Sequence, residues 1–87
     1  MNHFTLPIFW QHYHQLPKHI QQLADKNYAL LRDDPHHPSL HFKKVGKNKQ
    51  LWSVRVGDHY RALGLDKSEG VVWFWIGTHA IYEKLLD

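Results

Sequence analysis

The spacing of the apolar residues changes near residue 40, and this change constrains the fold more than any other feature of the sequence. Before it, apolar side chains recur every three or four residues, as they do in amphipathic helices. After it, they alternate with polar side chains, as they do in half-buried strands. Helices followed by a run of strands predict an α+β domain, with the helices packed on one face of an antiparallel sheet.

The first third of the chain predicts a helical hairpin. Pro7 suits the first turn of a helix, and Pro17 separates that helix from a second one. The second helix ends before Pro35, because a residue that precedes proline avoids helical backbone. The predicted packing residues are Phe9, Trp10, Tyr13 and Leu16 in the first helix and Ile20, Leu23, Ala24, Tyr28 and Leu31 in the second.

Four strands are predicted next, at residues 40–43, 51–56, 60–64 and 71–76, and polar turns separate them. The last strand is a continuous apolar and aromatic run, which is typical of a central strand covered on both faces. Its alternation places Trp73 and Trp75 on one face. Residues 2–6 offer only a weak additional strand. Thr78 suits the N-cap of a short last helix, whose packing residues are Ile81, Tyr82, Leu85 and Leu86.

Length and composition restrict the class of protein. Eighty-seven residues, of which 43% are apolar, support one hydrophobic core, so residues 1–87 are expected to form a single domain. The absence of cysteine excludes disulfides, thiolate metal sites and a thiol nucleophile. No apolar run approaches the roughly 20 residues that span a bilayer, and no signal-peptide pattern opens the chain. We therefore expect a cytoplasmic protein with no membrane contact.

The basic residues are concentrated in the middle of the chain. Between residues 41 and 61, six cations are opposed by Asp58 alone. Such a segment attracts a polyanion. The alternative is a solvated sheet face whose lysines protect the strand edges. The six cations are Lys43, Lys44, Lys47, Lys49, Arg55 and Arg61.

Two segments resemble RelE/ParE-superfamily toxins of type II toxin–antitoxin systems: LWSVRVGDHYRALGL at 51–65 and VVWFWIGTHAIYEKLL at 71–86. In that family a strand pair of the form R-x-x-x-x-Y-R precedes a strand ending in G-x-H or G-x-R, and a tyrosine follows. The resemblance implies a RelE-like fold, with a helical hairpin on a four-stranded antiparallel sheet and a short C-terminal helix. The matching residues here are Arg55, Tyr60, Arg61, Gly77, His79 and Tyr82.

The resemblance also implies a function, namely metal-independent cleavage of messenger RNA on the ribosome, masked by a cognate antitoxin. This chemistry needs cations for the phosphorane, a base for the 2′-hydroxyl proton and an acid for the leaving 5′-oxygen, and no cofactor. Arg55 and Arg61 suit a phosphate clamp, and His79 suits the acid or base. Tyr82 would orient a phosphate or stack on a base. The residues expected to follow the RNA backbone are Lys43, Lys44, Lys47 and Lys49.

Each of these roles has a structural alternative. Arg61 would pair with a carboxylate, His79 would cap the last helix, and Tyr82 would pack that helix on the sheet. The predicted sheet contains no glutamate, so a catalytic base would be His79, Asp58 or a tyrosine. The alternative function is a ParE-like or degenerate toxin that binds a protein, such as gyrase or the antitoxin, without cleaving RNA.

Tryptophans and histidines raise two further hypotheses. Aromatic rings that alternate with cations on a sheet are typical of platforms for single-stranded nucleic acid, although packing in the core is the stronger explanation here. The three rings concerned are Trp52, Trp73 and Trp75. The close histidine pairs lack the spacing of a metal site, so no metal is expected. Those pairs are His12 with His14 and His36 with His37.

Overall fold

A computed structural model describes residues 1–86 of the chain. Its order of elements agrees with the predicted α+β arrangement of a helical hairpin, a strand meander and a short last helix. The elements are β1 (His3–Thr5), α1 (Pro7–His14), α2 (Lys18–Asp33), a 3-10 turn (Pro38–Leu40), β2 (Lys43–Val45), β3 (Leu51–Val56), β4 (Tyr60–Lys67), β5 (Gly70–Thr78) and α3 (His79–Leu86).

The described sheet has five strands in the order β1-β5-β4-β3-β2, where the sequence predicted four. The additional strand is β1, from the weak segment at residues 2–6, and it pairs in parallel with β5. Its ends are fixed by Val71 N, which donates to Asn2 O, and by Leu6 N, which donates to Trp73 O, each over 3.0 Å. Three residues are too few to show an alternating pattern, which is why the sequence indicated this strand only weakly.

α1 and α2 cover one face of the sheet, which we call the α1/α2 face. Tyr13 OH donates to Asp25 Oδ1 over 2.8 Å, and Gln21 Nε2 donates to Leu16 O over 3.0 Å. These bonds join the two helices across their short linker. The buried cluster beneath the helices consists of Ile20, Leu31, Leu40, Val54, Val56, Ala62, Val71, Trp73 and Ile76.

β5 changes its packing face midway along its length. Its register with β4 shifts so that Leu63 pairs with Trp75 and Gly64 pairs with Trp73, which leaves Phe74 as an extra residue. Such a β-bulge reverses the alternation of side chains beyond it. Trp73 therefore packs on the α1/α2 face and Trp75 packs on the opposite face. The expectation that the two rings share a face was wrong.

α3 folds back onto that opposite face, which we call the α3 face. Thr78 Oγ1 accepts a hydrogen bond from Ile81 N over 3.3 Å, so the predicted N-cap is confirmed. Ile81 and Leu85 are 46% and 51% exposed, so only part of the predicted packing set is used. The cluster between α3 and the sheet consists of Val45, Leu63, Trp75 and Tyr82, with Leu51, Phe74 and Leu86 at its edge.

A groove of about 640 Å³ lies between β1, α1 and α2, and the α1/α2-face core forms its floor. Phe4, Trp10 and Tyr28 stand at its rim, each 43% to 46% exposed. Trp10 and Tyr28 both belong to the apolar faces predicted for the two helices. Both rings are left partly open to solvent in this groove.

Candidate nucleic-acid interface

Arg55 on β3 and Arg61 on β4 lie directly opposite each other in the sheet register. Both project from the α3 face, because their strand neighbours Val54, Val56 and Ala62 pack on the α1/α2 face. Like charges directly opposite each other destabilise a strand pair. The sequence therefore places two guanidinium groups opposite each other, although their repulsion destabilises the strand pair.

The tight turn between β3 and β4 holds both guanidinium groups. Gly57 has a φ of 67°, a left-handed conformation that favours glycine. Its carbonyl accepts from Arg55 Nε over 3.0 Å and from Arg61 Nη1 over 3.3 Å. Arg61 Nη1 also donates to Tyr60 O over 2.7 Å, and Asp58 Oδ1 accepts from Arg55 Nη2. One turn thus fixes the position of two cations.

The surroundings of Arg61 are electrostatically unfavourable to its charge. Partial burial lowers the pKa of the Arg61 guanidinium below its ordinary value, and the neighbouring charge of Arg55 lowers it further. A guanidinium nevertheless stays protonated at physiological pH. A bound anion would relieve the repulsion between the two arginines, so this position favours anion binding.

His79 is the first residue of α3 and lies at the same end of the sheet, because its backbone N donates to His59 O over 2.8 Å. Its ring is half-exposed and lies 5.7 Å from the ring of Tyr82. His79 Nε2 lies 3.2 Å from Glu83 Oε1, one helical turn away. At this distance the two side chains form an ion pair when the imidazole is protonated.

Tyr82 is buried, with 8% of its surface exposed, and it belongs to the cluster that holds α3 on the sheet. Its hydroxyl accepts a 2.9 Å hydrogen bond from Ser53 Oγ, which is also buried. A ring in this position packs against the sheet rather than against a base. These contacts agree with the alternative role of Tyr82, in which it packs the last helix on the sheet.

The four lysines expected to bind RNA are spread over both faces of the sheet and the β2–β3 turn. Lys43 is exposed on β2 opposite Ser53, on the α3 face. Lys44 points to the other face, where its Nζ lies 2.7 Å from Asp66 Oδ2. Hydrogen bonds from Lys44 and then from Trp52 lower the pKa of that carboxyl. Lys47 and Lys49 lie in the β2–β3 turn, which is about 13 Å along β3 from Arg55.

The tryptophans of the hypothetical aromatic platform lie mostly in the core. Trp73 and Trp75 are 4% and 7% exposed, so both are core residues. Trp52 is partly exposed, but it stacks on Phe42 with ring centroids 4.3 Å apart.

Within residues 1–86, no three histidine, aspartate or glutamate side chains come together as a metal site, and no helix is long and apolar enough to cross a bilayer.

Two residues of the site were not singled out in the sequence. Gly57 was assigned only to a turn, and its carbonyl is the acceptor that the two arginines share. Glu83 was set aside because it lies outside the sheet, yet its carboxylate lies 3.2 Å from His79 Nε2. The i,i+4 spacing of His79 and Glu83 on a predicted helix is a signal that identifies this pair.

Comparisons with known proteins give a consistent result. The family model of the ParE-like toxin domain matches residues 18–84 of the chain. The structure is similar to a chain of the RelB–RelE antitoxin–toxin complex from Methanococcus jannaschii, with a TM-score of 0.73 and 13% identity over 97% of this chain and 99% of that chain. No curated protein sequence gives a significant match. The RelE-like α+β fold expected from the sequence is therefore confirmed.

Tyr82→Phe tests whether the hydroxyl of Tyr82 is a structural group. The substitution removes the acceptor of the buried Ser53 hydroxyl, so we expect the free energy of unfolding to fall by about 1–3 kcal/mol. Chemical denaturation of Tyr82→Phe, Ser53→Ala and the double variant measures this effect. The double variant should lose less than the sum of the two single variants. Strict additivity would contradict a direct contribution of this hydrogen bond.

Proposed function

This chain belongs to the family of ParE-like toxin domains, and on that basis we propose that it is the toxin of a type II toxin–antitoxin system and a messenger-RNA endoribonuclease. It acts in the cytoplasm on ribosome-bound messenger RNA and thereby stops translation. The observation that carries the RNA part of the proposal is the pair of opposed guanidinium groups, Arg55 and Arg61, on a partly open sheet face.

The two arginines suit the charge that develops during RNA cleavage. The 2′-hydroxyl oxygen of one nucleotide attacks the adjacent phosphorus, and the bond to the 5′-oxygen of the next nucleotide breaks. The products are a 2′,3′-cyclic phosphate and a free 5′-hydroxyl, so the proton lost by one oxygen is balanced by the proton gained by the other. Arg55 and Arg61 stabilise the extra negative charge on the phosphorane oxygens, where charge-assisted hydrogen bonds are strongest.

His79 carries the proton transfer in this proposal. Imidazole exchanges protons near neutral pH, and the Glu83 carboxylate lies 3.2 Å from Nε2 of the ring that accepts the 2′-hydroxyl proton. Solvent protonates the leaving 5′-oxygen. Tyr82 acts through its position beneath the ring of His79, with 5.7 Å between the ring centroids. Lys43, on the same sheet face, supplies a further positive charge along the RNA, and Lys47 and Lys49 bind phosphates farther from the cleaved bond.

Mapping RNA ends in bacteria that express the chain under a regulated promoter tests the nuclease. We expect growth arrest with new ends inside translated codons. His79→Gln and Arg61→Gln should each lower the number of cuts by about 100-fold, because each removes a proton-transfer group or a charge contact. Arg32→Gln on α2 is the matched control, since it removes an exposed guanidinium far along the chain from the site and should leave cutting unchanged.

The burial of Tyr82 favours a second candidate, a toxin that binds a protein target such as gyrase without cleaving RNA. With that hydroxyl engaged by Ser53, the exposed chemistry of the site consists mainly of cations and one imidazole. Growth arrest without new RNA ends would support this candidate and contradict the proposed nuclease activity. Absence of arrest from a well-folded, expressed chain would contradict both.

We further propose that a cognate antitoxin binds this chain, and that the groove beside Tyr28 receives an apolar segment of it. The polar groups in the groove wall are largely engaged within the chain, since Thr5 Oγ1 accepts from Trp10 Nε1 and Asp25 accepts from Tyr13 OH. The groove therefore offers mainly apolar contact, which suits the apolar face of an amphipathic helix. In the similar structure from Methanococcus jannaschii, RelE is in complex with the antitoxin RelB.

Tyr28→Glu tests the groove, because it places a charge at the apolar rim. Co-purification with the protein encoded by the adjacent gene should fall at least about tenfold, as expected when a charge replaces a buried aromatic contact. Ile81→Glu is the matched control, because Ile81 is exposed to the same extent as Tyr28 but lies on α3. Loss of the partner with Ile81→Glu alone would place the antitoxin on the α3 face instead.

A further inference from the structure

The free protein holds a carboxylate against its candidate phosphate site. Asp58 Oδ1 accepts a hydrogen bond from Arg55 Nη2, three residues earlier in the same turn. The side chain of Asp58 is 76% exposed and that of Arg55 is 27% exposed, so the pair lies at the surface. A carboxylate and a phosphodiester present the same chemistry to a guanidinium, namely two oxygens that share one negative charge.

We propose that Asp58 is an internal substitute for an RNA phosphate. Its carboxylate pairs with Arg55 in the free protein, and a phosphate of the RNA displaces it on binding. The inference rests on the proposed RNA-binding function and concerns the same two arginines. In this role the Asp58 carboxylate competes with the RNA phosphate for Arg55 and thereby weakens RNA binding.

The repulsion between the two arginines explains why a carboxylate lies there. Arg55 and Arg61 are direct cross-strand partners, and the charge of Arg55 lowers the pKa of Arg61 in addition to the effect of burial. The shared carbonyl of Gly57 offsets this only in part, since it carries a dipole and no net charge. A carboxylate in the same turn stabilises the site when no RNA is bound.

The contacts also explain how a phosphate displaces Asp58. A guanidinium has five N–H donors. Among the described residues, Arg55 directs two of them to Gly57 and Asp58, and Arg61 directs two to Gly57 and Tyr60, so each retains three. Asp58 pairs with Arg55 alone, whereas a phosphate between the two groups reaches both. Ion pairs as exposed as this one contribute little, so the exchange favours the phosphate.

Binding of a labelled 2′-O-methyl oligonucleotide tests the proposal, because this RNA keeps the phosphates and lacks the attacking hydroxyl. Fluorescence anisotropy at low salt gives the Kd. We expect Asp58→Asn to bind about 2- to 5-fold more tightly than Asp33→Asn, which matches the loss of one exposed ion pair. Asp33→Asn is the control, because it removes the same charge from another exposed Arg–Asp pair, that with Arg32 on α2.

Two further variants, Asp58→Ser and Arg61→Gln, distinguish failure of the inference about Asp58 from failure of the proposed RNA-binding function. Asp58→Ser removes the charge with a different side chain and should tighten binding like Asp58→Asn. Equal Kd values for Asp58→Asn and Asp33→Asn, or weaker binding by both Asp58 variants, would overturn the inference and leave the RNA site intact. Arg61→Gln should lower the slope of log Kd against the logarithm of the salt concentration by about one. Unchanged binding by Arg61→Gln would overturn the RNA-binding function itself.

Discussion

The fold depends on one irregularity in its longest strand. At Phe74 a β-bulge reverses the alternation of β5, so that Trp73 packs beneath α1 and α2 while Trp75 packs beneath α3. Gly64 opposite the bulge is required, because a Cβ there would lie 2.4 Å from Val71 Cγ1. Without this reversal Trp75 would leave the α3 face, and the cluster beneath α3 would lose its buried tryptophan.

That packing arrangement brings the charged site together. α3 begins where β5 ends, so the anchoring of α3 on Trp75 sets His79 at the same end of the sheet as the β3–β4 turn. The turn carries two guanidinium groups on one face, held by the carbonyl of Gly57. The two guanidinium groups repel each other, which destabilises the sheet at this point. Unfavourable local interactions of this kind are typical of functional sites. An anion bound there would offset the repulsion.

Much of the fold could be predicted from the sequence, because long periodic segments carry a clear signal. The α2 stripe and the alternation of β3 are examples. The bulge could not be predicted, since a continuous apolar run such as residues 71–76 has no polar residue to mark its change of face. β1 is too short to show a period. Tertiary contacts, not local pattern, decide both features.

The candidate site was predictable in part. The paired arginines follow from a turn of fixed length between two strands, and His79 follows from the capped helix. The lysines were grouped by their nearness in sequence, but strand alternation sends Lys44 to the other face, and strand length separates Lys47 from Arg55. The burial of Tyr82 depends on how α3 lies on the sheet, which no local pattern indicates.

The most direct test of the central claim, that the arginine pair binds RNA phosphate, is an NMR titration of arginine Nε–H signals with a non-cleavable RNA. The chain has three arginines, and Arg32 on α2 serves as an internal reference. The account predicts that the Arg55 and Arg61 signals shift together and saturate while that of Arg32 stays in place; equal shifts at all three, or a shift at Arg32 alone, would contradict it.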